Sequence, residues 1–77
     1  MITNNHLNIY PNPTSNQLRI DTELKPSEIT IIDITGKTIM TTKQNTNIIN
    51  VVDLSKGIYF IQLITEEGTV TEKFVKQ

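Results

Sequence analysis

His6 is the only histidine of the chain, and there is no cysteine to join it as a ligand. A histidine can move protons near neutral pH or hold zinc, but either use needs partners converging on the ring. None stands near it, so His6 is expected to be a solvated residue of the chain's lead. Asp33 and Asp53 could form a carboxylate pair for acid–base work, or join Glu66 and Glu67 in a calcium site. Each aspartate, however, stands just before a turn glycine, where a carboxylate accepts backbone N–H groups. Glu66 and Glu67 precede Gly68 and suit a solvated hairpin tip, and the acidic turns lack the dense ligand spacing of a calcium loop. Asn12-Pro13-Thr14 has the outline of a glycosylation acceptor, which its central proline excludes. There is no Gly-rich phosphate loop. These residues predict a non-catalytic chain with no metal and no cofactor.

The elements around these residues are organised by one stretch, Leu54 to Thr65, the densest apolar run of the chain. It is too short to span a membrane and Lys56 lies within it, so it predicts a buried central strand. Alternation puts Tyr59, Ile61 and Leu63 on one side and Ile58, Phe60 and Ile64 on the other. Gly57 opens the strand and is expected at positive φ, where a side chain would be strained.

The other segments supply partners for it. Leu7 and Ile9 alternate with Asn8 and Tyr10 in a short first strand, stopped by Tyr10-Pro11-Asn12-Pro13-Thr14. The two prolines make a stiff, non-helical elbow. Gln17 to Asp21 alternates with Leu18 and Ile20 inward, and the polar stretch Asp21 to Glu28 connects two sheets. Ile29 to Ile34 is a second apolar strand. It turns at Asp33-Ile34-Thr35-Gly36, where aspartate first and glycine last suit a three-residue hairpin with Gly36 left-handed. Thr38 to Lys43 returns with Ile39, and Thr41 beside it, inward. Gln44 to Asn47 is a polar loop and Ile48 to Val52 a further strand. Asp53 to Gly57 and Glu66-Glu67-Gly68 repeat the acidic-then-glycine turn, and Val70 to Lys76 closes the chain. No helical period occurs, and isoleucine and threonine dominate while alanine is absent. About seven short strands at this spacing predict an all-β, antiparallel sandwich, with a small barrel as the competing architecture.

At 77 residues there is room for one domain, expected over 7–77 after a flexible lead at 1–6, with a core worth only about 3–5 kcal/mol. A formal charge of −1 carries no footprint of nucleic-acid binding. The opening MITNNHLNIY has neither basic leader nor apolar signal segment, and no stretch has the length of a membrane span. The expectation is a cytoplasmic protein or one domain of a longer exported one.

Two features ask for more than a plain sandwich. The strand 57–65 is apolar on both faces, although a two-layer sandwich covers one face of each sheet. Either Tyr10, the elbow and the loop 21–28 fold over the second face, or that face meets a partner. The last strand sets Lys73 and Lys76 around Phe74 and Val75, which suits an edge guarded by lysines against aggregation.

The residues also carry a resemblance. Tyr10-Pro11-Asn12-Pro13-Thr14 resembles the opening motif of the type IX (Por) secretion system C-terminal sorting domain, type A. Leu18-Arg19-Ile20, Ile31 to Lys37, Leu54 through Gly57 to Ile61, and Lys73-Phe74-Val75-Lys76 follow in the family's order. The likeness runs over residues 7 to 76, and Gln77 departs from it by following the last lysine. It implies an immunoglobulin-like sandwich fused behind a larger cargo. It further implies passage through the periplasm and export by the type IX translocon across the outer membrane to the cell surface or medium. A sortase-like peptidase commonly removes the domain in that family, and the cargo is often joined to lipopolysaccharide. On this reading Pro11, Asn12, Pro13, Gly36, Gly57 and Tyr59 hold the shape. Lys73, Phe74 and Lys76 form the main surface read by the translocon. An immunoglobulin-like adhesive or spacer module is the alternative. Sugar binding is a poorer fit for four aromatics without tryptophan.

Overall fold

The computed structural model describes residues 7–43 and 46–77. His6 and the expected lead at 1–6 lie outside the described residues, as do Gln44 and Asn45 of the polar loop. Seven strands follow in order: β1 (Leu7–Tyr10), β2 (Gln17–Thr22), β3 (Glu28–Asp33), β4 (Thr38–Thr42), β5 (Ile48–Asn50), β6 (Gly57–Thr65) and β7 (Gly68–Lys76). They form a three-stranded sheet, β1-β2-β5, and a four-stranded one, β4-β3-β6-β7. All strand pairs are antiparallel. The expected sandwich is therefore the fold. Among the described residues no helix is long and apolar enough to cross a membrane.

The core lies between the two sheets. Ile9, Leu18, Ile20 and Ile49 point into it from one side, and Ile29, Ile31, Tyr59, Ile61, Leu63 and Phe74 from the other. Every one of these positions obeys the two-residue alternation of its strand. The long connection 23–27 carries the chain from β2 in one sheet to β3 in the other, as its polarity and Pro26 suggest.

The turn after β3 matches its reading closely. Gly36 has φ 90°, and its N–H donates to the Asp33 carbonyl at 3.0 Å, while the Asp33 N–H reaches the Lys37 carbonyl at 3.0 Å. The Asp33 carboxylate accepts from the Thr35 N–H at 2.8 Å, the Thr35 hydroxyl at 2.6 Å and the Lys37 N–H at 3.0 Å.

Three local expectations are corrected. Met40, not Ile39, packs against the core from β4. The ladder slips between Ile31 and Ile32, pairing Ile31 with Met40 and Ile32 with Thr38. Ile39 is the extra residue of that bulge and stays part-exposed, because a bulge shifts every later side chain by one face. The turn before β6 is held by Asn50, whose Oδ1 accepts from the Val52 N–H at 2.9 Å, and by the Leu54 N–H on the Val51 carbonyl at 3.0 Å. Asp53 takes no such role among the described residues. Finally, among the described residues the second face of β6 is left partly open. Tyr10 belongs to the opposite sheet, the elbow lies along the edge of β7, and Ser27 anchors the 23–27 loop at the end of β6 through the Ile64 carbonyl. Ile58 is left 45% exposed, with Ile32, Phe60, Ile64 and Val75 half-buried on the same face.

Candidate recognition strand and its elbow

β7 is an edge strand, bonded to β6 on one side over nine residue pairs from Thr65↔Gly68 to Gly57↔Lys76. Its side chains divide by parity. Phe74 is fully buried and stacks on Tyr59, with ring centroids 5.6 Å apart and planes 22° from parallel. Their separation and tilt favour an attractive offset pair. The Tyr59 hydroxyl donates to the Ser55 carbonyl at 2.8 Å, so the ring's polar end is satisfied. Gly57, directly opposite Lys76, has φ 156°, the positive value expected of it. A Cβ built there would stand 4.0 Å from the Tyr59 ring and meet nothing closer. Its requirement for glycine is therefore one of backbone conformation.

Lys76 shares the parity of Phe74 and is only 7% exposed. Its ammonium reaches out to donate to the Gln77 carbonyl at 3.0 Å, as long cationic side chains do when their stems are buried. Lys73 has the opposite parity, opposite Phe60, and is exposed. The three terminal residues expected to share one recognition surface thus stand on two faces. Only Lys73 presents its side chain to solvent.

The elbow closes on the free side of β7. Both peptide bonds preceding Pro11 and Pro13 are cis. The Asn12 carboxamide donates through Nδ2 to the Lys73 carbonyl at 3.2 Å and accepts through Oδ1 from the Val75 N–H at 2.9 Å. One residue on from Pro13, the Thr14 N–H donates to the Val75 carbonyl at 2.9 Å, and the Gln77 N–H donates to the Thr14 carbonyl at 2.8 Å. Thr14 lies parallel to Lys76 as a one-residue bridge. Its hydroxyl donates to the Gln17 carbonyl at 2.6 Å, and the residue is 1% exposed. Thr14 is the member of this arrangement that residue types did not single out. A buried threonine two residues after a bonded asparagine gives no periodic signal.

Asp33, at the β3–β4 turn and one strand removed from β7, has its carboxyl held below the ordinary carboxylate range. The Thr35 hydroxyl is the main cause; burial opposes it as the next largest effect, and the Lys37 and Thr35 N–H groups and the Lys37 charge lower it further. Its role is in the turn, and Gly36 beside it meets nothing within 4 Å of a built Cβ. Among the described residues, no three acidic or metal-binding side chains come together.

A C-terminal strand clasped by a proline elbow, over a sandwich of three and four strands, accommodates every motif of the resemblance. Residues 8–77 match the family described as "Secretion system C-terminal sorting domain". The chain belongs to this family. It is a sorting signal for type IX secretion, the role the family carries. No curated protein matches the chain. Within this sorting domain, the elbow residues Pro11, Asn12 and Pro13 and the residues Gly57 and Tyr59 all adjoin β7 or the β6–β7 pair. Gly36 lies at the far edge of the sheet, after β3.

Proposed function

We propose that this domain directs a larger, N-terminally fused cargo from the periplasm across the outer membrane, and that the type IX translocon reads it through β7. The observation supporting this is the position of β7. It lies at a sheet edge, and Lys73 projects from it into solvent. Edge strands are recognised by backbone pairing, and an exposed charge beside them adds selection between otherwise similar edges. Phe74 and Lys76 serve from within, by fixing β7 on the sandwich. A sortase-like peptidase that releases the domain afterwards fits the same role, acting on the chain ahead of β1.

The test is a periplasm-targeted reporter fused ahead of the domain in a bacterium with a working type IX system. The reporter should reach the surface or medium with the intact domain and fall back to the periplasm with Lys73→Glu. That variant should stay folded, since exposed substitutions shift stability by no more than about 0.5 kcal/mol. A reporter that stays periplasmic with the intact domain would leave an adhesive or spacer role instead.

A further inference from the structure

The elbow divides the edge of β7 into two halves. Lys73, Val75 and Gln77 turn backbone groups outward to Asn12 and Thr14. Antiparallel pairing alternates the direction of these groups residue by residue, so Thr71 and Thr69 also face outward. The N–H and C=O of both, with the N–H of Lys73, have no backbone partner among the described residues. Thr69, Thr71, Glu72 and Lys73 are all exposed. Chain direction explains the boundary: β1 pairs with β2 in the other sheet, and among the described residues the elbow is where the chain bonds to the outer edge of β7.

Building on the sorting role, we propose that Thr69–Lys73 is a strand-addition site. An extended segment of the export machinery adds there as the next strand of the β4-β3-β6-β7 sheet. The site is about five residues, or roughly 16 Å, long, and the elbow stops the incoming strand at Lys73. Pairing through so few backbone groups favours a contact that can be released, as a transient signal requires. The exposed ammonium of Lys73 selects an acidic residue on the outer face of the added segment. The half at 73–77, already bonded to Asn12 and Thr14, is closed to such pairing.

Thr71→Pro tests this directly in the reporter fusion. It removes an outward N–H that β6 does not use, and proline is accepted on the open side of an edge strand. Surface reporter is expected to fall at least tenfold while the purified domain keeps its thermal midpoint within a few degrees. Lys25→Ala, an exposed substitution in the 23–27 loop away from β7, should export like the parent. If the intact domain does not export, the sorting role itself fails. If the intact domain and folded Thr71→Pro export equally, only the strand-addition site is overturned. Should Thr71→Pro not fold, Thr69→Pro carries the same comparison nearer the hairpin tip. A photo-crosslinking residue at Thr71 keeps the amide and should form adducts with translocon subunits that the same residue at exposed Val52 does not. Equal adducts from both positions would overturn the site. So would a concentration-dependent dimer that Thr71→Pro abolishes, which would assign the edge to a second copy of this chain.

Discussion

Replacing Phe74 tests whether its ring would be read directly by the translocon or only holds the proposed recognition strand in place. The ring is fully buried, and truncating such a phenylalanine to alanine costs about 3–5 kcal/mol through lost burial and the cavity left behind. The stack on Tyr59 accounts for roughly 0.5–1.5 kcal/mol of that. A domain of this size has a core worth about 3–5 kcal/mol, so Phe74→Ala should leave it largely unfolded. Phe74→Leu refills most of the space and should cost about 1–2 kcal/mol, leaving it folded. Urea titration of the three proteins should therefore show a lowered midpoint for leucine and no cooperative transition for alanine. In the reporter assay, leucine should export and alanine should not. A fully folded Phe74→Leu that fails to export would refute the reasoning, since the aromatic ring would then be recognised itself. A Phe74→Ala protein with the parent's midpoint would refute it from the other side.

Three further outcomes follow from the geometry. Asn12→Ala removes two bonds to β7 whose partners water can reach, so it should cost only about 1 kcal/mol and chiefly accelerate amide exchange at Val75, measured by NMR. Gly57→Val and Gly36→Val should each destabilise by more than about 1 kcal/mol through backbone strain alone, because neither Cβ meets a close neighbour; unchanged denaturation midpoints would contradict this. The lowered pKa of Asp33 means that its stabilising effect is full above the unfolded-state value and is lost as pH falls through the folded one. Thermal midpoints between about pH 5 and pH 2 should accordingly fall more for the parent than for Asp33→Asn.

Much of this fold was legible because strands announce themselves by alternation. Leu18 and Ile20 were placed inward by period alone, and Tyr59, Ile61 and Leu63 were placed on one common face, which the structure shows to be the core face. Ile29 and Ile31 were read as strand without a face. Turn chemistry placed Asp33 and Gly36, whose bonds are all local. What escaped depended on other strands. Met40 replaces Ile39 because of a slip between Ile31 and Ile32, which no single segment encodes. The turn before β6 is held by Asn50 rather than Asp53, since an asparagine accepts the N–H two residues on as readily as an aspartate does. The elbow's hold on β7 joins residues more than sixty positions apart, beyond any local pattern. Lys76 was a different case: its parity with Phe74 was open to view, but a lysine near a chain end invites a surface reading. Alternation should have outweighed residue type.

The division of β7 also resolves a conflict that a terminal edge strand faces. Such a strand must avoid pairing with copies of itself, and on the proposed reading it also pairs with the export machinery. Its apolar half, Phe74 and Val75, is where Asn12 and Thr14 occupy the outward backbone groups, so the stretch most prone to aggregate has no edge to offer. Its open half carries threonine, glutamate and lysine, whose charges oppose indiscriminate stacking while leaving the backbone accessible. A lysine guard at Lys73 and a hydrogen-bonded elbow at Asn12 thus protect different parts of one strand. Lys73 stands at their junction, its carbonyl bonded to the elbow and its side chain in solvent. Selection by charge and selection by open backbone would therefore meet at this residue.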